Sequence, residues 1–174
     1  MFEKGILNTV IVAASCAMLT LPTFANAKQI PITGTVQSKC IIQVDQPGVF
    51  GNPNAYTLTT DSADGGRSAS TRVDVTLADA YYVTFTHPES FSTSPSIPDV
   101  VTWTGTTEVS AVSDATGMGT YETDKIVNGN QTRYEMTATG STWFASEIEA
   151  TLGGNKAFPG GNYTAMVEAE CIAK

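Results

Sequence analysis

Residues 28–40, Lys-Gln-Ile-Pro-Ile-Thr-Gly-Thr-Val-Gln-Ser-Lys-Cys, put Ile30, Ile32, Gly34 and Val36 on every second position. An extended chain carries all four on one face, with Pro31 on the other, where it removes one backbone donor. Such an apolar-faced strand is unstable alone and must pair with a sheet, its own or another molecule's. The same period of two recurs farther on. Tyr163, Ala165, Val167, Ala169 and Cys171 alternate with Thr164, Met166, Glu168 and Glu170. The sequence therefore asks for strands at both ends of one domain.

Ahead of residue 28 lies an export signal. Lys4 forms a short basic region, Gly5 to Leu21 is mostly apolar, and Ala25-Asn26-Ala27 fits small-x-small cleavage. Residues 1–27 are thus read as a secretory signal peptide. A second reading takes Cys16, preceded by Ala13-Ala14-Ser15, as a lipoprotein attachment site. Loss of the signal removes one acid (Glu3) and one base (Lys4), so the net charge of −8 is unchanged. That charge disfavours nucleic acid and anionic lipid as partners. Of three cysteines, Cys40 and Cys171 remain, and an even pair in an oxidising compartment is expected to form one disulfide. A metal site is not expected, because His87 is the single histidine.

Between the ends the chain reads as strands and turns. Strands are expected over 40–44, 56–60, 73–77, 81–85, 100–103, 108–112, 132–138 and 163–171. Ile148, Ala150 and Leu152 alternate with glutamates and fit either a strand or a short helix. The Ser- and Pro-rich stretch 91–98 is a loop. Abundant Thr and Ser with Gly/Pro turns predict an all-β sandwich of one domain over residues 39–174, preceded by an extension over 28–38.

Signals for catalysis are sparse. One histidine supplies neither a triad nor a His-rich metal site, and no nucleophile elbow or phosphate-cradling loop is present. Asp61-Ser-Ala-Asp-Gly-Gly66 lacks the ligand pattern of a calcium loop and reads as a polar turn. Glu147 and Glu149 share the solvated face of a strand. Tyr82 and Trp143 are the aromatics expected to be exposed, and either could contact a sugar. No enzyme and no cofactor is expected.

Together the two ends resemble a chaperone–usher fimbrial subunit, most like the alpha-class major subunits of CFA/I- and CS1-type fimbriae. The start, Lys28-x-Ile30-x-Ile32-Thr33-x-x-Val36, is followed by Ile42-x-Val44 and a Pro/Gly turn. The end, Pro159-Gly-Gly-Asn-Tyr163-Thr-Ala-Met-Val167, looks like a pilin terminal strand entered by Gly-x-Tyr. The resemblance implies an immunoglobulin-like β-sandwich, incomplete until a neighbour's N-terminal strand fills its groove. Ile30, Ile32, Gly34 and Val36 would be the donor residues. Tyr163, Ala165, Val167 and Ala169 would line the groove as the terminal strand. It further implies export through the periplasm to a fimbrium at the cell surface, and a role in adhesion. Implied partners are copies of itself, other pilus subunits, a periplasmic chaperone, an outer-membrane usher and a host glycan or protein receptor. Cys40 and Cys171 depart from the largely cysteine-free subunits of that class. One alternative stays open: residues 28–38 belong to this domain's own sheet, and the protein is a monomeric or tip-located carbohydrate- or receptor-binding adhesin.

Overall fold

The computed structural model describes Thr33 and residues 39–76, 80–154 and 156–174. By its contacts the chain divides into Met1–Gly34 and Thr35–Lys174, and every described element belongs to the second unit. The proposed donor residues Ile30, Ile32, Gly34 and Val36, and Leu77 of the expected 73–77 strand, lie outside the described residues.

The fold is all-β. Among the described residues ten strands run in order: β1 (Lys39–Gln46), β2 (Gly51–Asn54), β3 (Thr57–Thr59), β4 (Ala69–Thr76), β5 (Tyr81–Thr86), β6 (Val101–Val112), β7 (Ile126–Asn128), β8 (Gln131–Met136), β9 (Gly140–Leu152) and β10 (Glu168–Ala173). Two antiparallel sheets form a sandwich. In the first, β9 carries β6 on one edge and β4 then β3 end to end on the other, with β1 outside β4 and β2 outside β3. The second has the order β10-β5-β8-β7. So β1 and β10 are edge strands.

Alternation explains why these segments pack as sheets. Val73 and Val75 of β4, Tyr81, Val83 and Phe85 of β5, and Tyr134 and Met136 of β8 all turn inward and are buried. Phe144 of β9 meets Tyr134 at 4.7 Å and Phe85 at 4.9 Å between ring centres, close enough for the aromatic contacts that add to simple burial. A short α-helical turn, α1 (Ala115–Met118), capped by Asp114, delivers Met118 to the same core.

The disulfide joins Cys40 of β1 to Cys171 of β10, with Cα atoms 6.4 Å apart and a sequence separation of 131. It ties the edge of one sheet to the edge of the other. In the chain-entropy account, closing a loop of that length contributes about 5 kcal/mol.

Two segments differ from the sequence expectation, and a third settles one that the sequence leaves open. The expected strands 100–103 and 108–112 merge, from Val101 on, into one strand, β6, which continues through Gly105, and that glycine lies under His87. A Cβ there would sit 2.6 Å from His87 Cγ. The 148–152 segment is a strand, not a helix, and forms the end of β9, which begins back at Gly140. The last ladder covers only Glu168–Ala173, shorter than the expected 163–171 at its start, since β5 stops at Thr86, which pairs with Glu168.

Candidate functional site: a groove between two edge strands

From the disulfide, β1 and the C-terminal segment run side by side and then part. The inward residues of β1 are Cys40, Ile42 and Val44, and the first two pack against the core. Val44 faces the same way but is 70% exposed and borders open space among the described residues. A bulge between Val44 and Gln46 then turns β1 toward Pro47 and Gly48.

That space is a groove of about 880 Å³. One wall is Val44, Pro47, Gly48, Val49 and Phe50, and the other is residues 161–167. Its floor climbs through successive rungs of the first sheet. Thr71 is paired with Val44, Ala69 with Ser146, and Leu58 stands at the far end. Thr60 and Ile148 form the rung between, where the Thr60 amide donates to the Ile148 carbonyl at 2.9 Å.

The C-terminal wall is half built. Thr164 is held by loop 87–100, with the Ser92 amide donating to its carbonyl at 2.8 Å and its own amide donating to Thr93 O at 2.8 Å. Ala165, Met166 and Val167 make no backbone–backbone hydrogen bond with another described residue. Yet the burial still alternates, with Tyr163, Ala165 and Val167 half-buried and Thr164 and Met166 exposed, and all five border the groove. Ala169 is placed differently from these five. It lies in β10, packs on the core cluster and does not reach the groove.

At its far mouth the groove meets an aromatic cluster. Phe91 touches Trp103 (4.5 Å), Tyr163 (5.1 Å), Phe158 (6.0 Å) and Phe50 (6.2 Å). The Tyr163 hydroxyl donates to Pro159 O at 2.6 Å, fixing the turn that enters this wall.

Beneath the floor runs a buried polar chain. His87 Nε2 is 2.9 Å from Thr107 Oγ1, which is 2.8 Å from Ser146 Oγ. Burial lowers the His87 pKa, partly offset by a backbone hydrogen bond to Asn130. Its partners are hydroxyls packed under a β-sheet, so the chain satisfies polar groups inside the sandwich. Nearby, the Tyr134 hydroxyl donates to Thr107 O at 2.6 Å, and burial together with Glu122 and Glu108 raises its pKa.

The other candidates fall away from the groove. Tyr82 is half-buried on the outer face of the second sheet, with the Arg133 guanidinium 4.8 Å from its ring centre. Trp143 is half-buried between its β4 and β6 partners, Arg72 and Ala111. Asp61 caps a 3-10 turn over Ser62–Asp64, and Glu147 and Glu149 are exposed on β9. Among the described residues no group of three or more His, Cys, Asp or Glu side chains is placed to hold a metal ion.

Of the four residues named for one wall, Tyr163, Ala165 and Val167 border the groove and Ala169 does not, and the β1 wall was not named. Val44 carried the available signal, since it continues the Cys40, Ile42 alternation past the point where β10 covers it. The floor residues Thr60, Thr71 and Ser146 gave none, because inward hydroxyls do not register as an apolar face. Compared with known proteins, the chain matches no family profile, no curated protein and no solved structure.

Proposed function

We propose that this chain is a structural subunit of a surface fimbria that polymerises by donating residues 28–38 to the groove of a neighbouring copy. One observation carries the reading: a groove lined by apolar side chains and by threonine and serine hydroxyls runs between two strand edges, and residues 165–167 of one wall have no backbone partner among the described residues. An added strand would supply ladder bonds to Ala165, Met166 and Val167, and its alternate side chains would cover Val44. Ile30, Ile32, Gly34 and Val36 have the required period.

Strand order supports the same reading. The row β1-β4-β9-β6 follows A-B-E-D of a seven-stranded immunoglobulin sandwich, and β10-β5 follows F-C. A final strand, G, would lie beside F, on the side where the groove runs. An open apolar groove is an aggregation hazard. That fits a subunit held by a periplasmic chaperone and passed to an outer-membrane usher before it reaches the cell surface. Adhesion to a host glycan or protein would then be a property of the assembled fimbria.

The test compares full-length protein with a deletion of residues 28–38, each co-expressed with a cognate chaperone, on unboiled and boiled SDS gels. Donation gives a ladder in the full-length sample that collapses on boiling and is missing from the deletion. A folded monomer in both samples refutes polymerisation and favours a self-contained binding domain.

A further inference from the structure

We propose that the Cys40–Cys171 disulfide makes the groove blind at the end where its own N-terminal segment leaves, so that self-filling seats only part of that segment and a second copy is the favoured occupant. The inference rests on the strand-donation reading above and asks which molecule can donate.

The geometry is simple. A strand lying between two others holds them about 9.6 Å apart, twice the usual interstrand spacing of roughly 4.8 Å. The Cα atoms of Cys40 and Cys171 are 6.4 Å apart and covalently joined, and a disulfide does not span much more than about 7 Å. No strand fits there. One turn of the alternation farther on, Ile42 and Ala169 pack against the core instead of lining the groove. The groove opens only at Val44 and Val167.

The segment 28–38 is attached to Lys39, next to the closed end. To enter its own groove it must first run back past the disulfide to Val44. Val44 lies five residue steps beyond Lys39, about 17 Å of strand. Val36 is three peptide units from Lys39 and reaches at most about 10 Å. Val36 therefore cannot seat in its own groove. Gly34 arrives only at the limit of full extension, leaving Ile32 and Ile30 as the residues that can be buried. A segment from a second copy carries no such tether and can seat all four. The disulfide thus works against self-filling, which a covalently attached strand would otherwise win through its high effective concentration.

Two variants of the full chain test this. Cys40→Ala/Cys171→Ala removes the barrier. Insertion of four Gly/Ser residues between Ser38 and Lys39 keeps the disulfide and lengthens the tether by roughly 13 Å. Each is scored on unboiled gels and by limited proteolysis of the monomer fraction with intact-mass readout of residues 28–38. In the unaltered chain the monomer's segment should be cleaved freely. In both variants the monomer fraction should rise about tenfold at the expense of the ladder, with the segment protected. If the double-alanine protein does not fold, the insertion decides alone. An insertion variant whose ladder and cleavage match the unaltered chain overturns the proposal. If the unaltered chain forms no multimers that depend on 28–38, the fimbrial reading fails separately. Protection of the segment in the insertion variant still decides this inference, absence of protection refuting it.

Discussion

Val44→Ala should separate the stability of the subunit from the stability of the polymer. Val44 is 70% exposed in the isolated chain, so trimming it leaves the free subunit nearly unchanged, within about 0.5 kcal/mol. In a polymer the inserted strand covers that exposed area. The two carbons removed are worth about 0.8 kcal/mol each when buried. Scaled by the fraction left to bury, the loss is about 1 kcal/mol for each filled groove, or roughly sixfold in strand dissociation. Val127, 63% exposed on β7 at the opposite edge of the second sheet, is the control. The assay is twofold: urea unfolding of the chaperone-released subunit, followed by tryptophan fluorescence, and the temperature at which the SDS ladder collapses. Val44→Ala should leave the first unmoved and lower the second, while Val127→Ala changes neither. Val44→Asp should abolish the ladder, since it sets a charge against an apolar strand. Equal behaviour of the two alanine variants in the ladder assay would refute the groove as the site of assembly.

Three further outcomes follow from the packing. Gly105→Ala forces a Cβ to within 2.6 Å of the buried His87 ring and should cost about 1–3 kcal/mol in urea unfolding. Tyr121→Phe removes the hydroxyl that accepts from the amides of Thr137 (3.0 Å) and Ala138 (2.9 Å). It should cost about 1–3 kcal/mol and speed hydrogen exchange at those two amides. The third concerns pH. Because burial lowers the His87 pKa, the unfolded chain takes up a proton below about pH 6.5 that the folded chain refuses. Stability is therefore complete above that pH and falls as the pH drops from about 6.5 to the folded value, at no more than about 1.4 kcal/mol per unit. His87→Gln should flatten this part of the stability profile; an unchanged slope would refute the assignment.

Much of the sandwich can be read from the residues, and the failures have specific causes. The alternation Tyr81, Val83, Phe85 predicts β5 closely because its inward set is wholly apolar, while Val73 and Val75 find only the second half of β4, whose first half turns Thr71 inward. The first half of β9 escapes notice because its inward set, Thr142, Phe144 and Ser146, is two-thirds hydroxyl. At the C-terminus the period of two continues back to Tyr163 while the ladder does not. Alternation reports which way side chains point, not what the backbone is bonded to. That mismatch between side-chain period and hydrogen bonding is what marks the groove, and it is visible only once β5 is seen to end at Thr86. The pairing of Cys40 with Cys171 followed from counting thiols. Its position, at the point where two edges part, needed the topology.

The same bond also sets how the domain would carry load. A pull on the chain ahead of Lys39, resisted at the groove wall over residues 161–167, reaches β10 through a covalent link one residue along. The span from Ile41 to Gly160 then lies outside the load path. Tension is borne by sulfur and a few flanking residues, and the core can neither unspool nor lengthen the molecule while the bond is intact.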